Sequence, residues 1–226
     1  MTKRGKFVVI EGVDGSGKST QFELLKKKLI KSGYKVKTVD FPRYYSSIWG
    51  RMVGKFLKGE YGDFDGVNPY LVVLMYMLDQ YTWSRDVGEE ILRKGQIILS
   101  NRYFTSNVHQ IAKLEGKERE EYRRWLWPAG YKHLRLLKPD LVLFLDVEPR
   151  IAVLMNKTKR DRKYLKGEKE DEAEKRFYHQ KSAYREYLKT VKQFKYWTRV
   201  KCMTGRKIDT PKKIHARIWS IVKKYL

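Results

Sequence analysis

KFVVIEGVDGSGKST, residues 6–20, joins a short apolar run directly to a glycine-rich loop and fits the pattern G-x-x-x-x-G-K-[ST] in full. Gly12, Gly15 and Gly17 let the backbone turn tightly and aim successive N–H groups inward, making an anion cradle at a helix N-terminus. Lys18 is placed to reach terminal phosphates. Ser19 offers a hydroxyl to Mg²⁺, a cation that takes few protein ligands and fills its shell with phosphate oxygens and water. Phe7–Ile10 is apolar and β-branched and ends where the loop starts, while Gln21–Ile30 carries Phe22, Leu24, Leu25, Leu29 and Ile30 at helical spacing. The strand, loop and helix that a phosphate loop needs are therefore expected in that order.

Outward from the loop, Gly33 stops the first helix and KVKTVD, residues 35–40, alternates as a second strand, so a parallel βαβ unit is expected. Arg43 follows that strand's carboxyl end, the side on which open α/β sheets bind ligands. Ser47–Leu57 reads as a helix. Asn68-Pro69 is a cap followed by proline at the first helical position, and one long helix is expected over 68–93, with Gly88 its first breaker. Leu71, Val72, Met75, Leu78, Val87 and Ile91 form its apolar face, and Tyr76, Asp79, Gln80 and Trp83 a second, mixed face.

Gln96–Ser100 is the third strand, and Asn101-Arg102 follows it; the fork of an arginine at such a strand end matches phosphate oxygens. Helices are expected at Ser106–Leu114 and at Lys117–Leu137, the latter interrupted at Pro128. LVLFLDV, residues 141–147, has the nearly unbroken apolar character of a central strand covered on both faces, and Pro149 opens the next helix. Lys157–Glu170 lacks apolar periodicity and reads as a mobile basic loop, Asp171–Val191 as a charged helix and Tyr196–Met203 as the last strand. Asp209-Thr210-Pro211 caps a final helix with Ile214, Ile218, Ile221 and Val222 on one face. Five strands with helices between them predict an α/β protein with a doubly wound parallel sheet.

At 226 residues without linker or repeat, the chain suits a single domain over 1–226. One cysteine, Cys202, excludes an intramolecular disulfide, suits a reducing cytoplasm and is expected as buried strand filler. Residues 1–6 are polar, so no signal segment is expected, and no apolar stretch approaches the ~20 residues needed to cross a bilayer. The net charge of +24 raises two readings, an anionic small substrate or nucleic acid. That charge is spread along nearly every helix, its densest run, Lys157–Lys169, is broken by Asp161 and Glu168, and no nucleic-acid-binding motif accompanies it. Nucleic acid is therefore not the expected partner.

Five segments in order resemble thymidylate kinase over almost the whole chain: GVDGSGKST (12–20), FPRY (41–44), NRYFTSN (101–107), PDLVLFLDV (139–147) and a basic loop before DEAE (171–174). The resemblance implies a five-stranded parallel sheet of the P-loop nucleoside monophosphate kinase kind, with a flexible lid at about 157–171. It implies ATP-dependent phosphorylation of dTMP to dTDP with Mg²⁺ in the cytoplasm, and a homodimer through the long helices, for which the stripe Leu71, Val72 and Met75 is suited.

Carried over by position, Gly12, Val13, Asp14, Gly15, Ser16, Gly17, Lys18, Ser19 and Thr20 would bind ATP, with Ser19 and Asp14 on the metal. Asp14 would also approach the deoxyribose 3′-hydroxyl. Arg43 and Arg102 would grip the dTMP phosphate, Tyr76 would stack on thymine, Ser106 and Asn107 would lie beneath the base, and Phe41, Gln80 and Gln110 would complete the dTMP site. Gly15-Ser16 stands where one branch of the family places a catalytic arginine, so this chain resembles the branch that supplies it from the lid, with Arg160 and Arg162 as candidates. Two positions depart from the family pattern. Asn101 replaces the aspartate of Asp-Arg-Tyr, which bears on Mg²⁺, and Asp79-Gln80 replaces an arginine that reaches the thymine carbonyl, to which glutamine can also donate. The rival readings are a P-loop kinase for another (deoxy)nucleoside monophosphate or a nucleoside, and a nucleotide- or nucleic-acid-binding homologue that has lost catalysis. Two arginines placed for an acceptor phosphate oppose a nucleoside as acceptor, and the intact Lys18, Ser19, Arg43 and Arg102 oppose the loss of catalysis.

Overall fold

The computed structural model describes residues 3–62, 66–160 and 170–226. Strands β1 (Phe7–Glu11), β2 (Val36–Asp40), β3 (Ile97–Asn101), β4 (Leu141–Asp146) and β5 (Trp197–Lys201) form one sheet in the order β2-β3-β1-β4-β5. Every pair in it is parallel, as the sequence pattern predicts. Burial follows place: β1 and β4 are covered at every residue, whereas β2, at an edge, has only Val36 and Val39 half-buried and its other residues exposed. Val8 lies opposite both Leu99 and Leu141, so β1 sits mid-sheet, and its carboxyl end delivers the glycine loop where connections leave toward opposite edges.

Helix α1 (Lys18–Lys31) covers one face by burying Leu25 and Leu29 against Phe7–Ile10. Each such fully buried side chain contributes about 1.5–3 kcal/mol. Helices α2 (Ile48–Leu57) and α3 (Pro69–Trp83) begin at the expected caps: Ser47 Oγ accepts from the Gly50 N–H at 3.3 Å and Asn68 Oδ1 from the Tyr70 N–H at 2.8 Å. No helix among the described residues is long and apolar enough to cross a membrane.

Five expectations are corrected, the last of them in the final strand. The single helix over 68–93 is α3, a π-helical turn at Ser84–Gly88 and α4 (Glu89–Arg93). Tertiary packing accounts for the wide turn, since a Cβ on Gly88 would lie 2.6 Å from Leu137 Cδ1 and 2.9 Å from Trp83 Cζ3. The Leu71, Val72, Met75 stripe divides, because Val72 enters the core while Leu71 is exposed. The helix expected over Lys117–Leu137 is cut short: α6 (Gly116–Pro128) stops at Pro128, the expected interruption, and only a π-helical turn at Ala129–His133 follows; the short α5 (Val108–Ile111) precedes it. Both ends of the expected basic loop are helical instead: α7 (Pro149–Arg160) extends through 157–160, whose lysines and arginine are good helix formers, and α8 (Glu170–Gln193) begins at Glu170, while 161–169 lie outside the described residues. Arg162 and the side chain of Arg160 lie outside the described part of the chain.

The last strand is also shorter. Buried Cys202 follows β5, and Met203–Thr204 (β6) leaves the sheet to pair antiparallel with Lys207–Ile208 (β7). Helix α9 (Pro211–Val222) then closes the chain on α1 and β5, capped by Thr210 Oγ1, which accepts from the Lys213 N–H at 3.3 Å.

Candidate active site

The loop after β1 takes its form from glycines where no other residue is comfortable: Gly15 and Gly17 have φ of 85° and 88°. The last turn of the loop runs straight into α1, so its N–H groups converge at that helix's N-terminus. Lys18 folds back over the loop and is buried, its Nζ donating to the carbonyls of Gly12 (3.0 Å) and Val13 (2.9 Å). Burial and the charge of Arg102 lower its pKa to about 7, against the opposing carboxyls of Asp14 and Glu11. Ser19 and Thr20 are exposed beside it.

Asp14 stands at the rim. Its carboxyl is paired with Arg102 and lies 3.7 Å from Lys18 Nζ. The burial around it would raise its pKa, but Arg102 and Lys18 hold it well below the usual carboxylate range. From α8, Gln180 clasps the same residue twice, accepting from the Asp14 N–H at 3.1 Å and donating to its Oδ2 at 3.2 Å.

The two arginines singled out in the sequence are held by buried carboxyls. Arg102 has φ of 63°, and its N–H donates to the Ile10 carbonyl at 3.1 Å, which ties the end of β3 to β1. Glu11, fully buried, organises the turn after β3: it accepts from the Tyr103 N–H (3.2 Å), Thr105 Oγ1 (2.6 Å), Ser106 Oγ (2.9 and 2.8 Å) and, from α8, Tyr187 OH (2.9 Å). Ser106 in turn accepts from Arg102 Nη1 at 3.2 Å. Asp79, also buried, does the same for Arg43: its carboxyl accepts from the Arg43 N–H and Nε, each at 2.9 Å, while Arg43 Nη2 donates to the Asp79 carbonyl and Thr82 Oγ1, each at 2.8 Å. Arg43 Nη1 has no partner among the described residues.

Around these arginines lie the other residues expected at the acceptor site. Tyr76 is half-buried, and burial with the neighbouring Tyr44 raises its pKa, while the charges of Arg102 and Asp14 also act on it. Phe41 is buried and meets Trp83 and Tyr103 edge-on. Gln80 is buried; with its nitrogen toward the Tyr76 carbonyl (3.2 Å) and its oxygen toward the Phe104 N–H (3.3 Å), its amide is spent on backbone. Asn107 Nδ2 donates to the Phe104 carbonyl at 2.9 Å, and Gln110 Oε1 is buried with no partner among the described residues. Asn101 Nδ2 donates to Asp40 Oδ1 at 3.1 Å, and its Oδ1 is likewise buried with no partner among the described residues.

Three residues that shape this site carry no assigned role in the sequence reading. Glu11 leaves one signal, an acid closing an otherwise apolar strand immediately before the loop. Asp79 shows as part of a mixed helix face and of the Asp79-Gln80 departure from the family pattern, without a sign that it would hold Arg43, and nothing in the sequence marks Gln180.

The chain matches the family model for thymidylate kinase over residues 10–209. It is 31% identical over 183 residues to the thymidylate kinase of Schizosaccharomyces pombe, covering 81% of this chain and 80% of that one. It is 30% identical over 230 residues to the thymidylate kinase of Thermoanaerobacter sp., covering 99% and 100% respectively, and 30% identical over 146 residues to that of Mycobacterium tuberculosis, covering 64% and 67%. A phosphate loop at the centre of a parallel sheet, arginines just past the ends of two neighbouring strands, and similarity along its length mean that the chain belongs to the thymidylate kinase family.

Proposed function

We infer that the protein transfers the γ-phosphoryl group of ATP to dTMP, giving ADP and dTDP. The observation that carries this reading is the pair of arginines past the ends of β2 and β3, each preset by a buried carboxyl and one of them joined through Asp14 to the loop lysine. Phosphoryl transfer asks a protein to place two anionic substrates in line and neutralise their charge, with little covalent work of its own. In this reading Lys18 and the loop N–H groups hold the donor phosphates, while Arg43 and Arg102 hold the acceptor phosphate. A fixed arginine fork spends little entropy when it binds, because Asp79 and Ser106 have already oriented it.

Tyr76 is taken as the thymine-stacking ring. With the Gln80 amide and the Ser106 hydroxyl engaged inside the protein, the Oε1 of Gln110, without a partner among the described residues, is an acceptor available for the base. Mg²⁺ fits the same site, since Ser19, exposed beside the loop, carries a hard oxygen donor and the buried Asn101 Oδ1 is an acceptor with no partner among the described residues. Bound there, the ion would offset charge on the transferring phosphates. ADP release measured across dTMP, dCMP, dGMP, dAMP and UMP tests the activity. dTMP is expected to be preferred over UMP by about 10-fold or more. Equal turnover of the two, or turnover of neither, overturns the reading.

We further propose a homodimer through α2 and α3. Ile48 and Leu57 on α2 and Leu71 and Leu74 on α3 are large apolar side chains left exposed, on two helices that pack together. Sedimentation at micromolar concentration is expected to give twice the chain mass of 27.1 kDa, and a species of single chain mass would rule the dimer out.

A further inference from the structure

Asp40 closes β2 in register with Asn101, the last residue of β3, and β3 is in turn in register with β1 beneath the phosphate loop. Asn101 Nδ2 donates to one oxygen of Asp40 at 3.1 Å. Among the described residues no lysine or arginine forms a salt bridge with Asp40. Burial raises its pKa, opposed by the Asn101 hydrogen bond and by the charges of Arg102 and Lys18, the two cations that flank the loop.

Asn101 is itself only half satisfied. Its Oδ1 is buried and has no partner among the described residues, and none of them donates to the far oxygen of the exposed Asp40, so the pair presents two acceptor oxygens without a protein donor there. A buried acceptor left unpaired costs about 1–3 kcal/mol. The cost is recovered if a donor occupies the position. Waters of a hydrated divalent cation are strong donors, and Mg²⁺ keeps several of its waters while leaning on one or two carboxylates.

We propose that Asp40 supplies the carboxylate that holds the water shell of nucleotide-bound Mg²⁺, with Asn101 orienting it and offering Oδ1 to the same shell. This rests on the Mg²⁺–nucleotide reading above. Asparagine at the end of β3 brings no negative charge, and the neighbouring strand restores one within hydrogen-bond distance of it. Asp40 is thus a positioning residue: it touches neither phosphate nor metal and acts through water. A salt bridge would have spent its charge.

Mn²⁺, which can be followed by its electron paramagnetic resonance, serves as the probe, titrated into the full chain with ADP. Asp40→Asn is expected to weaken Mn²⁺ affinity in the ternary complex by about 10–100-fold, the range typical of residues that orient metal ligands. ADP affinity measured in EDTA should stay as in wild type. Moving the charge back, in Asp40→Asn combined with Asn101→Asp, should recover most of the loss. A pair that only ties two strand ends together predicts something else, a lower melting temperature with Mn²⁺ affinity unmoved. That result overturns the proposal, and so does a loss of ADP affinity equal with and without metal. If wild-type protein binds ADP but recruits no Mn²⁺ with it, the Mg²⁺ reading falls and the role of Asp40 falls with it.

Discussion

Replacing Lys18 by alanine is expected to lower kcat by about 10²–10³-fold or more while leaving the fold intact. Its Nζ is the cation buried within the loop, held on two backbone carbonyls. Those carbonyls are neutral and Asp14, 3.7 Å away, is shared with Arg102, so the lysine's charge can turn to the transferring group as that group develops negative charge. Nearby Arg102 cannot take its place, since its guanidinium is engaged by Asp14 and Ser106.

The same lysine gives a signature in pH. Its pKa of about 7 in the free protein lies below the ordinary 10.5, so burying it costs stability in full below pH 7, and the cost is relieved as pH rises toward 10.5. Bound phosphates favour the charged form and draw the pKa back up. At pH 8, nucleotide binding should therefore take up close to one proton, and Lys18→Ala should abolish the uptake. Calorimetry in buffers of different ionisation enthalpy measures it. Unchanged kcat in the variant would remove the loop from the mechanism.

Glu11→Ala is expected to cost about 3–5 kcal/mol of stability, the range for removing one partner from a buried charged cluster. Four protein groups donate to this carboxyl, three of them from the turn after β3 and one from α8, and all but the half-buried Ser106 belong to buried residues. The energies of these bonds do not add, because one relaxation can rescue several donors at once. Glu11→Gln should cost less, about 1–2 kcal/mol, since the hydroxyls of Thr105, Ser106 and Tyr187 can rotate to meet an amide. Urea unfolding decides both values from the shift in midpoint. A loss below about 1 kcal/mol for Glu11→Ala would mean that the turn holds itself together. Because Ser106 carries the link from Glu11 to Arg102, kcat/KM for dTMP should fall in the glutamine variant even where it remains folded.

How much of this protein is legible in its sequence depends on how local each signal is. The five strands, their order in the chain and the phosphate loop are carried by neighbouring residues, and periodicity finds them within a residue or two. The π-helical turn at Ser84–Gly88 is not local, since the ring of Trp83 and Leu137 from a distant segment press on Gly88. The site divides in the same way. Lys18, Arg43 and Arg102 announce themselves by their place at strand ends. The carboxyls that orient them do not, because the partners of Glu11 arrive from as far as 176 residues away, at Tyr187, and Asp79 finds Arg43 across 36. A spacing pattern can show that a charged residue sits in an apolar run, but only the fold shows which loops will close over it.

The strand order has a consequence for the birth of the molecule. In β2-β3-β1-β4-β5 no strand pairs with the next one made, apart from β2 with β3 and β4 with β5. Phe7 must wait for Ile98, and Val8 for Leu141. At a synthesis rate of about 5–20 residues per second, the first strand leaves the ribosome roughly 5–20 s before its nearest partner exists. Throughout that interval Phe7–Ile10, a run fully buried in the finished protein, is an unpaired apolar edge. The segment that anchors catalysis is thus the one most in need of a chaperone's cover or of rapid collapse onto the newly made α1, and slowed translation before residue 101 should show first as aggregation rather than as weak enzyme.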